Sequence, residues 1–207
     1  MTTCFTATPG VDVITTTAAI PALGSIAINA FVLHGTEPVL VDTGTVAGAP
    51  EFMSALASVI DPADLRWIWL THTDFDHIGS LAALLQANPQ LRVITSFLGV
   101  GIMGLSSAPL PMDRVHLLNP GQSLTVGDRR LTAVKPPVYD NPDHDRLRRR
   151  RLRDPVQLRL LRCAAPGCPG GRRRPRHRRP ADRAGPLGHH RLALGAPCRP
   201  RRLRPRP

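Results

Sequence analysis

Apolar positions in the first 142 residues fall into short runs separated by Gly, Pro and polar residues, and this pattern predicts a β-rich start to the chain. Predicted strands occupy residues 11–15 and 25–33, and a turn leads from the second into a short apolar strand at 38–41. Similar apolar runs predict later strands at residues 66–70, 91–95, 114–118 and 131–134.

Two segments between these strands carry apolar residues at helical spacing instead. Pro50 opens a predicted helix over residues 51–59, because proline in the first turn of a helix loses no hydrogen bond. Apolar residues three and four apart over 78–85 predict a second helix, which ends at Asn88 before Pro89. Alternating strands and helices predict an α/β fold in which helices pack on sheets.

Composition divides the chain into two unlike parts near Pro142. Residues 1–142 carry 6 Lys and Arg against 11 Asp and Glu, a net charge of −5. Residues 143–207 carry 21 Arg and 4 Asp, a net charge of +17, and contain no aromatic residue. We therefore expect residues 1–142 to form the folded domain and residues 143–207 to be a disordered Arg/Pro-rich tail.

The chain lacks the sequence features of membrane and secreted proteins. It contains no apolar run long enough for a transmembrane helix. The N-terminus has neither a basic region nor the continuous apolar stretch of a secretory signal. A cytoplasmic protein with no membrane partner is expected.

A cluster of four metal-binding residue types lies between the predicted strand 66–70 and the helix that follows. His72, Asp74, Asp76 and His77 stand at i, i+2, i+4 and i+5, so a tight loop can direct them into one small volume. Imidazole and carboxylate together suit Zn, Fe or Mn better than Ca or Mg, which prefer oxygen ligands. The cluster predicts a dinuclear metal site. The alternative is a solvated loop in which Asp74 or Asp76 caps the helix, a contribution of about 1 kcal/mol.

Asp42-Thr43-Gly44 after one strand, and the His72–His77 cluster after the next, resemble two motifs of the metallo-β-lactamase fold superfamily. The resemblance implies an αββα sandwich, here incomplete. The usual pattern in that superfamily is HxHxDH, and this chain has Asp74 where the second His would stand. Di-iron members related to the flavodiiron proteins carry a carboxylate at that place.

The resemblance also implies a set of ligands and their roles. Residues 135–142 are similar to the next motif of the di-iron members, in which a ligand stands just before a residue-Pro pair; Asp140 falls at that position. Asp42 would brace the metal loop from outside the ligand set. Asp76 would be both ligand and catalytic residue. The implied ligands are His72, Asp74 and Asp140 for a first metal, and Asp76 and His77 for a second.

The resemblance implies that two divalent ions, Zn or Fe, activate water to hydrolyse a small-molecule substrate that the sequence does not identify. The alternative is a non-haem di-iron protein acting on oxygen or nitric oxide, because extra carboxylates favour iron. A third possibility is an inactive chain, since neither the Asp that bridges both metals nor the last His ligand of the superfamily is legible after Pro142.

The composition of the tail suggests a reading frame that shifts near codon 142. Arg, Pro, Ala and Gly have GC-rich codons, and from Asp143 onward a one-base shift is compatible with a hidden text containing Ser-Ser-Asp-Cys-Phe, similar to the bridging-Asp motif. A compatible text over residues 187–200 contains a candidate last His. The hypothesis is a single-base deletion or a sequencing error near codon 142 in the gene of a complete member of the superfamily. The alternative is an Arg-rich tail that binds nucleic acid without sequence specificity, through phosphates.

Overall fold

The computed structural model describes residues 1–20, 22, 24–106, 109–136 and 143–151. These residues form ten strands, three α-helices and two short 3-10 turns. The strands are β1 (Thr2–Thr8), β2 (Val11–Ile20), β3 (Gly24–Leu33), β4 (Val39–Val41), β5 (Trp67–Trp69), β6 (Arg92–Thr95), β7 (Val115–Leu117), β8 (Ser123–Val126), β9 (Arg129–Val134) and β10 (Arg146–Arg151), and the helices are α1 (Ala49–Val59), α2 (Leu81–Ala87) and α3 (Phe97–Gly104).

Seven strands form one mixed sheet in the order of the chain, β1 to β7. The strands β1 to β4 pair antiparallel, and β4 to β7 pair parallel. Each parallel connection needs a crossover, and α1, α2 and α3 provide the three crossovers. The carboxyl ends of β4, β5 and β6 consequently lie along one edge of the sheet.

Two apolar clusters cover the two faces of this sheet. On one face, Leu40 and Ile68 pack with Phe52 and Leu56 of α1 and with Leu84 of α2. On the other face, residues of the large sheet pack against the second sheet, whose three antiparallel strands run in the order β10, β9, β8. The fold is therefore α/β, and the described part consists of a helical layer, a seven-stranded sheet and a three-stranded sheet of an incomplete αββα sandwich.

Most of the predicted elements are present, with shifted ends. The second predicted helix begins at Leu81 rather than at residue 78, because residues 77–80 are held by hydrogen bonds to the loop after β4. The strands β1 and β8 and the helix α3 were not predicted. The α3 sequence is apolar throughout and contains three glycines, so it lacks the polar face that marks a helix in a sequence.

The strand β10 lies in the Arg-rich segment, beyond the predicted boundary at Pro142. It pairs with β9 from Arg146 opposite Val134 to Arg151 opposite Arg129. The rest of the predicted tail lies outside the described residues, so a boundary at residue 142 and a disordered tail stay predictions. Across the described ranges, no helix is long and apolar enough to cross a membrane.

Candidate metal centre

The loop that carries His72 to His77, called the metal loop below, follows β5. The loop that begins with Asp42 follows β4, the neighbouring parallel strand. Both loops therefore lie at the edge formed by the carboxyl ends of the parallel strands, where open α/β sheets bind ligands. Four backbone hydrogen bonds join them. Asp42 N donates to Trp69 O at 2.9 Å, Thr43 N to His77 O at 2.7 Å, Gly79 N to Gly44 O at 2.8 Å and Ser80 N to Thr43 O at 3.1 Å.

Gly79 permits this close approach of the two loops. A Cβ at position 79 would lie 2.1 Å from the carbonyl carbon of Thr45 and 2.3 Å from Val46 N. These atoms belong to the backbone and cannot rotate away. The glycine after the metal loop is therefore required by packing between loops rather than by a turn of its own.

Asp42 lies beneath the metal loop and organises it. The backbone φ angle of Asp42 is 59°, a left-handed conformation that Asp adopts more readily than most residues. The residue is only 3% exposed. Its carboxylate accepts hydrogen bonds from Thr71 N at 2.8 Å, Thr71 Oγ1 at 2.7 Å and His77 Nδ1 at 2.9 Å. Asp42 thus connects Thr71, at the start of the loop, with His77, at its end, and its role at a metal site stays a prediction.

These hydrogen bonds also determine which nitrogen of each histidine carries a proton. A carboxylate only accepts, so His77 Nδ1 donates to Asp42 and the lone pair of that ring is on Nε2. The Thr71 hydroxyl donates its proton to Asp42, and it therefore accepts from His72 Nδ1 at 2.9 Å. Both rings consequently present an Nε2 lone pair, the form in which histidine binds a metal.

Each Nε2 faces a carboxylate of the loop. His72 Nε2 lies 3.6 Å from Asp74 Oδ2, and His77 Nε2 lies 3.5 Å from Asp76 Oδ2. These separations are long for hydrogen bonds, but two ligand atoms on one ion at bond lengths of about 2.1 Å and a tetrahedral angle stand about 3.4 Å apart. The His72 and His77 ring centroids are 4.0 Å apart, and ligand atoms of His72, Asp76 and His77 lie within 4.8 Å of one another. The donor set fits divalent cations.

Neither loop carboxylate caps the following helix. The residue that precedes α2 is Ser80, and no side chain accepts a capping hydrogen bond there. The alternative interpretation of Asp74 and Asp76 as helix caps is therefore wrong. Their partly exposed side chains face the imidazoles instead, with side-chain exposures of 41% and 27%.

The structure adds residues that the sequence did not single out. Thr71 links Asp42 to His72, and only its position next to the cluster could have indicated it. A second addition is the segment Asp143-His144-Asp145, which lies against the metal loop although about seventy residues separate the two in sequence. No spacing rule connects such distant positions, so sequence reasoning missed this segment.

One of the added residues has a shifted pKa. Burial raises the pKa of the Asp145 carboxyl from 3.8 to about 6, and the neighbouring carboxylate of Asp143 contributes in the same direction. His144 and Lys135 act in the opposite direction. The remaining predicted ligand, Asp140, lies outside the described residues. The assignment of individual ligands to a first and a second metal stays a prediction.

Comparison with known proteins agrees with this geometry. The family model of the metallo-beta-lactamase superfamily matches residues 23–146, which include β3 to β9, the metal loop and the Asp143–Asp145 segment. The chain is 38% identical over 71 residues to flavo-diiron protein FprA2 of Clostridium acetobutylicum, covering 34% of this chain and 18% of that protein. It is 30% identical over 115 residues to rubredoxin-oxygen oxidoreductase of Megalodesulfovibrio gigas, covering 56% of this chain and 28% of that protein.

Solved structures have the same fold. A flavo di-iron protein variant from Thermotoga maritima superposes with a TM-score of 0.64 at 22% identity, over 72% of this chain and 40% of that one. A metallo-β-lactamase from Cronobacter sakazakii superposes with a TM-score of 0.56 at 23% identity, over 70% of this chain and 57% of that one. The chain covers less than a third of the length of FprA2 and of rubredoxin-oxygen oxidoreductase. It belongs to the metallo-β-lactamase superfamily.

Proposed function

We propose that this chain holds a dinuclear iron centre of the flavodiiron kind, which reduces oxygen or nitric oxide. The observation that carries the proposal is the donor set of the metal loop. Asp74 puts a carboxylate beside His72, in a superfamily whose usual pattern has a second histidine at that position. Each imidazole therefore has one loop carboxylate beside its Nε2, and carboxylate with imidazole suits iron that changes oxidation state.

The relatives support iron over zinc. The names of two of them, flavo-diiron protein FprA2 and rubredoxin-oxygen oxidoreductase, refer to iron and to oxygen, and a third, from Moorella thermoacetica, is named nitric oxide reductase and is 24% identical over 115 residues. Each of these matches covers less than a third of the relative. The activity of the whole protein is therefore part of the proposal.

The surface beside the loop suits a small uncharged substrate. Helix α3 lies against the metal loop, since a Cβ on Gly99 would be 3.5 Å from Thr73 Cγ2. Helix α3 exposes apolar side chains and contains no charged residue, and the metal loop exposes the apolar ring of Phe75. An anionic substrate would find no cationic side chain on this helix. On the metal loop, on α3 and directly after α3, the apolar residues with exposures of 40% or more are Phe75, Phe97, Leu98, Ile102 and Leu105.

The residues of the chain would act by binding and orienting. His72, Asp74, Asp76 and His77 would hold the metal ions, and Asp42 and Thr71 would keep both imidazoles in the Nε2 form by accepting their Nδ1 protons in hydrogen bonds. When bound, iron supplies one-electron steps, so that two nitric oxide molecules with two electrons and two protons yield nitrous oxide and water. The electrons come from an external low-potential donor, such as a reduced flavin.

The test begins with metal selectivity. We expect the protein, incubated anaerobically with equal Fe²⁺ and Zn²⁺, to retain iron at a near-stoichiometric level, and the Asp74→His variant to shift the retained metal toward zinc. Asp61→Ala, at an exposed residue outside the metal loop, serves as the control and should leave the ratio unchanged. The iron-loaded protein with a chemical reductant is then assayed for oxygen uptake and for nitrous oxide from nitric oxide.

Hydrolysis of an unidentified substrate is the second candidate, because the same nitrogen and oxygen donors also bind zinc. The redox proposal would be rejected in favour of hydrolysis by three results together. The protein would prefer zinc, would turn over neither oxygen nor nitric oxide, and would cleave chromogenic esters or lactams when loaded with zinc. Binding of neither metal at a near-stoichiometric level would indicate an inactive chain, for want of the bridging Asp and the last His.

A further inference from the structure

The segment Asp143–Asp145 is attached to the metal loop at two points. Thr73 Oγ1 donates to Asp143 Oδ2 at 2.7 Å, within a buried environment. Asp145 N donates to the backbone oxygen of Thr71 at 2.7 Å. These two bonds hold the residues on either side of His144, so the position of His144 relative to the loop is set by both neighbours.

The ring of His144 lies beside the ring of His72. The two centroids are 4.8 Å apart and the planes are tilted by 31°. A ring centroid lies about 3.2 Å from an ion bound through a ring nitrogen at about 2.1 Å, so two imidazoles on one ion at roughly 95° have centroids about 4.8 Å apart. The observed separation agrees with two histidines on one cation, beside the group formed by His72, Asp76 and His77.

The charges around His144 favour a cation at the same place. Asp143 and Asp145 are 3% and 5% exposed, and they bring two further carboxyl groups to a loop that already holds Asp74 and Asp76. Burying carboxylates together costs free energy unless positive charge is close by. A divalent ion between the loop and this segment would supply that charge.

We infer that His144 is a further ligand of the metal centre in this chain, and that it binds the cation held by His72. The inference rests on the proposed metal centre and adds a ligand that the motif does not contain. It differs from the sequence prediction, in which Asp140 completes the first metal. Asp140→Ala therefore belongs in the same experiment.

The experiment compares three variants of the full chain, His144→Ala, Asp140→Ala and His116→Ala. His116 is the matched control because it is a partly buried histidine on β7, in edge contact with Trp67 at 6.2 Å. Zinc affinity is measured by competition with a chromophoric chelator, and cobalt binding by the visible absorption that reports coordination number. Melting temperatures are recorded in chelator and with metal.

We expect His144→Ala to weaken binding of one zinc ion at least tenfold and to change the cobalt spectrum. Its melting temperature in chelator should equal that of the parent, whereas its rise on adding metal should be smaller. His116→Ala should match the parent throughout. The melting data in chelator separate loss of a ligand from loss of the fold.

Two outcomes would overturn the inference, and they can be told apart. In the first outcome, His144→Ala has the zinc affinity and the cobalt spectrum of the parent, whereas Asp140→Ala binds zinc more weakly. The ligand role would then belong to Asp140, and the proposed function would stand. Failure of the parent itself to bind metal would reject the metal centre and His144 with it.

Discussion

At the scale of single residues, Asp42 combines a backbone role with an electrostatic one. Its left-handed conformation turns the chain at the end of β4, and its carboxylate then reaches Thr71 and His77. Through Thr71 it also determines the protonated nitrogen of His72. One side chain thereby orients two imidazoles of the candidate metal centre without being in the proposed ligand set.

Asp42→Asn tests this role. Asn tolerates the left-handed conformation, but its amide has one accepting oxygen and an NH2 group in place of the second, so Thr71 Oγ1 and His77 Nδ1 no longer both find an acceptor there. We expect a folded variant whose metal affinity is about 10–100-fold lower. Affinity is measured by chelator competition. Asp12→Asn, which changes the distant pair between Asp12 Oδ2 and His34 Nε2 at 2.7 Å, should retain parent affinity; equal losses in both variants would contradict the proposed role.

The raised pKa of Asp145 predicts that the free energy of unfolding of the metal-free chain depends on pH. Its folded pKa is about 6, above the unfolded value of 3.8, so its favourable contribution is present below pH 3.8 and is lost as the pH rises through 6. We expect Asp145→Asn to raise the free energy of unfolding at pH 7.5 by about 1–3 kcal/mol. The gain should fall toward pH 4.5. Urea denaturation in chelator at the two pH values measures both, and a gain independent of pH would rule out the carboxylate as its cause.

At the scale of elements, the metal centre depends on two loops that the sequence treats as separate. Their backbones touch between Gly79 and Thr45, and the helix after the metal loop starts only where this contact ends. The position of the loop at the end of β5 was predictable from an apolar run followed by polar residues. Its contact with the loop after β4 was not, because that contact follows from parallel pairing of β4 with β5.

Gly79→Ala tests the contact between the loops. The added Cβ would lie 2.1 Å from a backbone atom, so one loop must move, and we expect a loss of about 3–5 kcal/mol in the free energy of unfolding together with weaker metal binding. Gly101→Ala in α3 is the matched control, since its Cβ would meet nothing within 4 Å. The control should be neutral or more stable by up to about 1 kcal/mol. Chemical denaturation measures both changes, and equal stability of the two variants would disprove the clash.

At the scale of the whole molecule, the chain joins a superfamily domain to an Arg-rich segment. The family model ends at residue 146, inside β10, and the described second sheet has three strands. The hypothesis of a single-base deletion near codon 142 accounts for the change in composition at that point. It also accounts for the absence of legible motifs for the bridging Asp and the last His.

Resequencing the codons for residues 135–162 tests the hypothesis directly. We expect an additional base near codon 142 and a frame that continues into the Ser-Ser-Asp-Cys-Phe text. A chain with this frame restored lacks His144, whose ligand role applies to the chain as written, and gains the bridging Asp and the last His. It should bind two metal ions per molecule, measured by elemental analysis, and should bind them more tightly than the chain as written. A gene that agrees with the present sequence would exclude a sequencing error and would make the Arg-rich tail a part of the expressed protein.

If resequencing confirms the reading frame as written, the binding properties of the Arg-rich tail are the next to be tested. The tail should then bind RNA without sequence preference, and the affinity should fall steeply between low and moderate salt as phosphate contacts release counterions. Deletion of residues 152–207 should abolish this binding and leave the metal affinity unchanged. Binding that resists salt would contradict a purely electrostatic tail.

The sequence alone predicted the α/β class and the strands that deliver the metal loop, because these depend on periodicity. It also offered His72, Asp74, Asp76, His77 and Asp42 as candidate site residues, through short motifs and the family resemblance that they carry. Tertiary structure decided how Asp42 and Thr71 orient the two imidazoles, why position 79 is glycine, and that His144 lies beside His72. The physical reason is distance along the chain. Local patterns specify which groups a loop carries, whereas contacts between residues thirty or seventy positions apart exist only after the strands have paired and brought their ends to one edge.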